Sequence, residues 1–180
     1  MKRKTNDMPL RGERVSLRAV EPADLDMLFL LENDTGRRQC SFATAPASRQ
    51  MIWQYINDYQ ADIFAEKQLR LVITDNTDGK SVGTIDISDF NARDRRGFVG
   101  ICIIDDMRGR GYGSEALALL CDYARQTLGM HQLAAVVAID NEASKALFDS
   151  AGFATAGRLR SWLRSANHYT DVLLYQRLFT

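Results

Sequence analysis

A glycine-rich turn is the part of the sequence whose residue types could bind an anion. Residues 107–113 read MRGRGYG and lie between an apolar run and a segment with helical periodicity. The first N–H groups of a helix lack intrahelical partners, and the helix dipole adds partial positive charge there. Glycines let the backbone close around a phosphate without a Cβ in the way. The turn therefore predicts a phosphate site at the start of the following helix.

The spacing of the glycines narrows the choice of phosphate ligand. A P-loop requires G-x-x-x-x-G-K-[ST], and the sequence has no such run. A dinucleotide fingerprint requires G-x-G-x-x-G, whereas the three glycines here are spaced G-x-G-x-G. The pattern that does fit is Arg-x-x-Gly-x-Gly, at Arg108, Gly111 and Gly113. The alternative is a tight strand-to-helix connection that binds nothing.

The elements around the turn are predicted from their periodicity. Residues 97–105 (GFVGICIID) form an apolar run that predicts a central strand, and residues 114–129 carry a helical stripe. Residues 131–140 predict another strand. Asn141 is then the expected N-cap of a short helix that ends at Gly152.

The rest of the chain completes one domain over residues 1–180, with residues 1–12 as a flexible N-terminal extension. Asp78-Gly79 is a hairpin signal between two strands. The predicted elements are a strand at 14–20, a helix from Pro22 that ends before Gly36, a helix from about Ser48 to Ala65, strands at 68–75 and 81–90, and closing strands at 157–164 and 168–179.

Composition excludes several classes of protein. The chain is 46% hydrophobic and 26% charged with a formal net charge of zero, which predicts a globular protein that does not bind nucleic acid through bulk positive charge. No apolar stretch is long enough to span a bilayer, and no secretory signal is recognisable, so the cytosol is the expected compartment. Three cysteines without metal spacing, with His131 and His168 isolated, predict reduced thiols and no metal site.

The sequence resembles the GNAT family of acetyl-CoA-dependent N-acetyltransferases, most of all the diamine and spermidine acetyltransferases and the ribosomal-protein N-terminal acetyltransferases. The Arg-x-x-Gly-x-Gly turn is similar to the pyrophosphate signature of that family. The segments LRAVEPAD, LAAVVAIDNEASKALFDSAGF and NHYTDVLLY match at the same spacing, so the resemblance runs from about Val15 to Tyr175. It implies an α/β (α+β) GNAT fold: a single mixed, mostly antiparallel twisted sheet of about seven strands flanked by helices.

The resemblance also implies where acetyl-CoA would bind. The cofactor lies in a cleft where the strand ending near Asp105 splays from the strand ending near Asp140, and backbone groups of Ile101 to Ile103 bond the pantetheine. For Asn141 the alternative is helix capping alone, and for Lys145 it is a solvated helix charge. The residues implied in cofactor binding are Ile101, Ile103, Arg108, Gly109, Arg110, Gly111, Tyr112, Gly113, Ser114, Asn141, Ser144 and Lys145.

The reaction implied by the resemblance needs a base, because an alkylammonium has a pKa of about 10.4. Asp86 and Asp89 are candidates, but residues three apart in a regular strand point to opposite faces unless a bulge intervenes. Asp86 is preferred because it matches an acidic position of the polyamine enzymes; the alternative is a solvent-facing carboxylate.

The family's tyrosine, which protonates the leaving thiolate, is replaced by Phe148, and phenylalanine donates no proton. Tyr169 and Tyr112 are the candidate substitutes, with protonation by solvent as the alternative. A related acidic position is filled by Phe98.

Candidate acceptor-binding residues are Glu32, Asp34, Trp53 and Tyr55, together with Asp89. Carboxylates attract a cationic amine and an aromatic face can hold it, although surface charges and a packed Trp53 are the simpler interpretation. The expected function is acetyl transfer from acetyl-CoA to a primary amine, of a polyamine or other small amine. A protein N-terminus as acceptor, an antibiotic as acceptor, a non-catalytic acyl-CoA sensor and a homo-oligomer all stay open. No nucleic-acid or membrane partner is expected.

Overall fold

The protein is built on one seven-stranded sheet. The computed structural model describes residues 10–34, 45–165 and 168–179. Along the sheet the strand order is β1-β2-β3-β4-β5-β7-β6. The strands are β1 (Val15–Arg18), β2 (Leu69–Asp75), β3 (Ser81–Asn91), β4 (Arg96–Ile103), β5 (Gln132–Ala138), β6 (Ala154–Ser165) and β7 (His168–Leu178).

Five helices accompany the sheet within the described part of the chain: α1 (Leu25–Asn33), α2 (Arg49–Asp58), α3 (Ile63–Glu66), α4 (Tyr112–Gln126) and α5 (Glu142–Ser150). The single helix predicted from Ser48 to Ala65 is wrong, because the chain leaves the helix after Asp58. Ala61 takes a left-handed φ of 56°, and the Asp62 side chain then caps the short α3. Gly36, the predicted end of the first helix, lies outside the described residues, and α1 ends at Asn33.

The sheet opens between its two parallel strands. β4 and β5 pair only over Arg96–Phe98 and Gln132–Ala134, whereas every other pair of neighbouring strands is antiparallel. Beyond Phe98, β4 continues to pair with β3, and β5 continues to pair with β7. The backbone edges of β4 and β5 that face each other are therefore left without a partner strand, as the predicted cleft requires.

Different helices cover the two faces of the sheet. On one face, Ile85 and Ile87 of β3 pack with Leu117 and Leu120 of α4 in the main core. On the other face, Val72 of β2 packs with residues of α1 and α2 in a smaller cluster. Since side chains alternate along a strand, Thr84, Asp86 and Ser88 project from the face of β3 opposite to that of Ile85 and Ile87. The polar residues of the central strands thus lie on the α1 and α2 side.

The N-terminal segment joins the sheet earlier than predicted. Residues 10–12 belong to the predicted extension, yet the Leu10 carbonyl accepts a hydrogen bond from Leu17 N at 2.7 Å, and Gly12 N donates to Val15 O at 2.8 Å. Within the described ranges, no helix has the length and apolar character that a membrane crossing needs.

Candidate active site

A cavity of about 620 Å³ lies at the opening between β4 and β5. Val99, Ile101 and Cys102 of β4 line it together with Val136 of β5. Additional lining side chains come from α1, β2, β3, α5 and β6, and the charged ones among them are Glu32, Arg70, Asp86 and Asp89. A large cavity with a few convergent polar groups is the usual form of a small-molecule site.

Helix α5 forms part of the cavity wall through residues at helical spacing. Asn141 accepts a hydrogen bond from Ser144 N on its side-chain oxygen at 3.0 Å, so the predicted N-cap is confirmed. Asn141, Ser144 and Phe148 all line the cavity. Of the residues implied in cofactor binding on β4 and α5, the cavity brings together Ile101, Asn141 and Ser144, whereas Ile103 and Lys145 do not line it.

The glycine-rich turn lies where β4 ends and α4 begins. Gly109 and Gly111 have φ angles of 73° and 80°, the left-handed region that favours glycine. Gly111 is the N-cap of α4, and Glu115 N donates to Gly111 O at 3.2 Å. The amides of residues 112–114 precede that first bond and have no intrahelical acceptor. The position of a Cβ on Gly113 would be 3.8 Å from the side chains of Ile101 and Ile103, which places the helix start against β4.

The arginines of the turn contact neighbouring backbone. Arg108 Nε donates to Ile103 O at 3.3 Å and its guanidinium pairs with Asp105 at 3.1 Å. Arg110 donates to Asp106 O at 3.0 Å. A third arginine, Arg14, donates to Arg110 O at 3.4 Å. Three arginines therefore lie near the start of α4. Arg14 could not be predicted from the turn, because it lies 96 positions before Arg110 in the chain.

Two other residues implied in cofactor binding have partners of their own. Lys145 Nζ pairs with Glu142 at 2.6 Å and donates to Ile139 O at 2.9 Å, and it does not line the cavity. The Tyr112 hydroxyl donates to Asp75, which directs the ring to the end of β2. Neither side chain faces the space beside β4, so Tyr112 does not stand in for the missing acid.

A half-buried ion-pair network forms the polar part of the cavity. Arg70 Nε donates to Asp86 Oδ1 at 2.6 Å, and Arg70 Nη1 pairs with Glu32 at 3.0 Å. Burial raises the pKa of Asp86 above its usual range, and the Arg70 guanidinium opposes this rise. Arg70 is not among the predicted site residues, although a single charged residue in the apolar strand LRLVI is a signal of a paired or functional side chain.

A β-bulge brings Asp89 to the same cavity as Asp86. The pairing of β3 with β4 shifts register between Ser88 and Asn91, and Asp89 has a φ of 49°. The extra residue reverses the alternation of side chains, so two carboxylates three positions apart both line the cavity. In a regular strand Asp86 and Asp89 would point to opposite faces, and this bulge allows both carboxylates to face the same cavity.

The proposed acceptor-binding residues divide into two groups. Glu32 lines the cavity, whereas Tyr55 does not line it and contacts it only through Arg70, whose guanidinium carbon lies 5.5 Å from the centroid of the Tyr55 ring. Burial raises the pKa of Tyr55 to about 12. Trp53 is 54% exposed on α2, and neither it nor Asp34 lines the cavity. The helical stripe of α2 buries Ile52 and Ile56 and turns Trp53 away, so a role for Trp53 in the cavity is contradicted.

Tyr169 is a wrong choice of general acid. Its side chain is 62% exposed and does not line the cavity. The reason is the alternation of β7, which buries Thr170 and Val172 and directs Tyr169 to the opposite face. Phe148 itself is buried in the cavity wall, with its ring centroid 6.0 Å from that of Tyr175.

The sheet is split at its one parallel pair, and the glycine-rich turn and the start of α4 lie at the split, as in the fold that the resemblance implies. The family model described as "Acetyltransferase (GNAT) domain" matches residues 14–154. The chain therefore belongs to the GNAT acetyltransferase family and is an acetyl-CoA-dependent N-acetyltransferase. The predicted family, fold class and activity are confirmed.

Similar proteins cover nearly the whole chain. It is 28% identical to the uncharacterized N-acetyltransferase YoaA of Bacillus subtilis over 92% of this chain and 94% of that protein. It is 23% identical to the spermidine N(1)-acetyltransferase of Vibrio cholerae over 89% of this chain and 91% of that protein. A crystal structure of the Vibrio cholerae enzyme with CoA and spermine has a TM-score of 0.82 at 23% identity, covering 92% of this chain and 95% of that one, which shows a shared fold.

Proposed function

We propose that this enzyme acetylates a primary amine of a small polycation, of the polyamine class, inside the cavity between β4 and β5. The observation that carries the proposal is the charge of the lining. Three carboxylates, Glu32, Asp86 and Asp89, and one guanidinium, Arg70, give it a formal charge of −2. Such a cavity attracts cations and disfavours anionic acceptors. A spermidine acetyltransferase among the similar proteins supports the same acceptor class.

The cofactor would be held mainly by backbone. In this proposal, the free edge of β4 at Ile101 to Ile103 bonds the pantetheine arm, and the amides of residues 112–114 bond the pyrophosphate. Arg108, Arg110 and Arg14 add positive charge around that seat. The fit is supported by Gly113, because a side chain there would project toward Ile101 and Ile103 and fill the gap between α4 and β4. Asn141 and Ser144 complete the wall on the α5 side.

Asp86 is the proposed base. It accepts the proton of the substrate ammonium, whose reference pKa is about 10.4, and the neutral nitrogen then forms a bond to the acetyl carbon as the carbon–sulfur bond breaks. The raised pKa of Asp86 makes it a stronger base than an ordinary aspartate. Solvent protonates the departing thiolate, because Phe148 has no proton to give and a thiol has a reference pKa of only about 8.5.

Asp89 is proposed to hold a second positive charge of the acceptor. It is exposed at the bulge, and Trp162, which is 58% exposed, lines the same cavity. A carboxylate and an aromatic face are both suited to an ammonium group. This arrangement favours a diamine over a monoamine.

The acceptor class is tested by measuring CoA release from acetyl-CoA with spermidine, putrescine, a monoamine of equal length, aminoglycosides and N-terminal peptides. We expect turnover with the polyamines, and a rise in KM for putrescine of about two- to fivefold in Asp89→Asn with little change for the monoamine. Asp94→Asn, an exposed aspartate of the same hairpin, is the matched control. Turnover restricted to the peptides would replace the proposal with a protein N-terminal acetyltransferase.

The cofactor seat is tested by Gly111→Glu. A carboxylate at the start of α4 repels the pyrophosphate, and the Cβ would meet Arg14 at 2.5 Å, so we expect CoA affinity measured by calorimetry to fall at least about 100-fold. Gly79→Glu is the control, since Gly79 has a similar φ of 73° with nothing within 4 Å. Retained CoA affinity in Gly111→Glu would refute the seat.

The proposal also includes a cellular compartment and an oligomeric state. Cys121 is a free cysteine buried in the core, which favours a reducing compartment such as the cytosol. A homo-oligomer is supported by the Vibrio cholerae spermidine N-acetyltransferase, whose structure is described as dodecameric and has a TM-score of 0.74 to this chain. Light scattering in solution measures the assembly directly, and a monomer would contradict this part of the proposal.

A further inference from the structure

Three residues on neighbouring strands form one row across the sheet. Arg70 of β2 lies opposite Asp86 of β3, and Asp86 lies opposite Gly100 of β4. Residues directly opposite in adjacent strands project from the same face and contact each other. The row therefore runs from a cation, through a carboxylate, to a position without a side chain.

The two oxygens of Asp86 have different surroundings within this row. Oδ1 accepts from Arg70 Nε at 2.6 Å. Oδ2 is the atom nearest to the position that a Cβ on Gly100 would take, at 3.8 Å, and among the residues that the structure describes no other heavy atom outside the adjoining residues comes within 4 Å of that position. One oxygen is thus engaged by the arginine, and the other faces the open space over β4.

Arg70 is itself fixed from several sides. Glu32 of α1 pairs with its Nη1 at 3.0 Å, and the Tyr59 hydroxyl donates to its backbone carbonyl at 3.4 Å. The Tyr55 ring lies beside the guanidinium. The side chains of Arg70, Asp86 and Glu32 are only 20%, 17% and 25% exposed. A planar guanidinium can bond two carboxylates at once in a fixed geometry, which a lysine ammonium does not reproduce.

We infer that Arg70 is a positioning residue for acetyl transfer: it holds Asp86 by Oδ1, so that Oδ2 receives the substrate proton in the space that Gly100 leaves open. Glu32 orients the guanidinium and offsets its charge toward a cationic acceptor. The inference rests on the proposed function, because it takes Asp86 as the base. It adds a residue that touches no reacting atom and acts only through Asp86.

The inference predicts two titration shifts of opposite sign. The charged and titratable groups that face Asp86 are Arg70 of β2, Glu32 of α1, Tyr55 of α2 and Tyr59, which directly follows α2. Arg70 lowers the pKa of Asp86, and Glu32 raises it. Removing the guanidinium with Arg70→Gln should therefore raise the pKa of Asp86, and removing the negative charge with Glu32→Gln should lower it.

The experiment follows the side-chain carboxyl carbon of Asp86 by ¹³C NMR as a function of pH, with Asp86→Asn to assign the signal. We expect the midpoint to rise by about one pH unit or more in Arg70→Gln and to fall in Glu32→Gln. Arg70→Lys keeps the charge and should leave the midpoint near the wild-type value. Arg96→Gln, an exposed arginine of β4, is the control.

Activity provides the second readout. With a polyamine acceptor, we expect kcat to fall about 10- to 100-fold in both Arg70→Gln and Arg70→Lys, while CoA affinity stays within about twofold. If Arg70→Gln does not fold, Arg70→Lys still tests the positioning role. A lower kcat in Arg70→Lys with an unchanged titration midpoint of Asp86 would show that the orientation of Asp86, and not its pKa, has changed. Wild-type kcat in Arg70→Lys, or an Asp86 midpoint that Arg70→Gln does not move, would overturn the inference.

The two proposals fail in different ways. If the wild-type protein releases no CoA with any amine, the proposed function is wrong, whereas the NMR titration still tests the hold of Arg70 on Asp86. If wild-type turnover is normal and the midpoint is unmoved, only the positioning role is wrong.

Discussion

Two arginine–aspartate pairs of this protein, Arg18–Asp24 and Arg70–Asp86, have similar ion-pair chemistry but different surroundings. Asp24, at the start of α1, is 1% exposed and accepts hydrogen bonds from both terminal nitrogens of Arg18 at 2.7 and 2.8 Å. Ser81 Oγ and Glu21 N donate to it as well, at 2.7 and 2.8 Å. Asp86 receives one guanidinium bond from Arg70, on Oδ1, and its other oxygen faces a cavity.

The pKa values of the two aspartates shift in opposite directions for this reason. For Asp24, burial alone would raise the pKa, but the combined hydrogen bonds from Arg18, Ser81 and Glu21 outweigh it and lower the pKa. For Asp86, burial dominates and raises the pKa against the influence of Arg70. A carboxylate with every oxygen satisfied stabilises the fold, whereas a buried carboxylate with one oxygen directed to a cavity is suited to accept a proton.

The largest expected difference between the two pairs is in catalysis, and substitution of Asp86 tests it. Asp86→Asn keeps the size of the side chain and one oxygen that can accept from Arg70 Nε, but removes the base. We expect kcat to fall by about 10²- to 10⁴-fold, the usual contribution of general-base catalysis, with CoA affinity unchanged. Steady-state kinetics together with calorimetry measures both quantities. A normal kcat would show that the two aspartates do not differ in function.

The next effect is on stability. Asp24→Asn leaves Arg18 without its anionic partner, so we expect the free energy of unfolding to fall by about 2–4 kcal/mol, below the full loss for a wholly buried pair because the Arg18 side chain is 30% exposed. Urea denaturation measures this loss. The folded fraction should retain kcat within about twofold. A loss of kcat in folded Asp24→Asn, without a loss of stability, would reverse the roles assigned to the two pairs.

The smallest effect is the pH dependence of stability, which should have opposite slopes for the two residues. Asp24 has a lowered folded-state pKa, so its stabilisation is complete above the unfolded value of about 3.9 and is lost as the pH falls through the folded value. Asp86 has a raised pKa, so its folded state binds the proton more tightly and stability is lost as the pH rises above about 3.9.

The comparison is made by urea denaturation across this acidic range. Below about pH 4, the free energy of unfolding of the wild type minus that of Asp24→Asn should increase as the pH rises. Above about pH 4, the free energy of unfolding of the wild type minus that of Asp86→Asn should decrease as the pH rises. Parallel slopes for the two variants would contradict the opposite pKa directions.

Much of the fold and of the cofactor end was predictable because both depend on contiguous residues. The Asp78-Gly79 hairpin, the start of α4 after Gly111 and the Asn141 cap are each specified by local side-chain and backbone preferences. The backbone of the proposed phosphate seat is likewise one short segment, residues 108–114, and Arg14 reaches it from a distant part of the chain. Local chemistry of this kind is visible in a single sequence.

The polar end of the cavity was less predictable because it joins distant segments. Glu32, Arg70 and Asp86 come from α1, β2 and β3, and only the sheet register brings them together. The interruption between α2 and α3, where Ala61 has a left-handed φ, also involves a distant segment. The Tyr59 hydroxyl, just after the end of α2, donates to the backbone carbonyl of Arg70 on β2. The bulge at Asp89 depends on the pairing of β3 with β4, which residue types alone do not specify.

Chemical rescue tests the role of Asp86 most directly. Asp86→Ala opens the space beside Gly100 and removes the base, and a small carboxylate such as formate can replace it there. The measurement is amine-dependent CoA release by Asp86→Ala and by Asp24→Ala, each with and without formate. We predict that formate raises the rate of Asp86→Ala at least about tenfold and leaves the rate of Asp24→Ala unchanged. A rate in Asp86→Ala that equals the wild-type rate, or that formate leaves unchanged, would contradict the account.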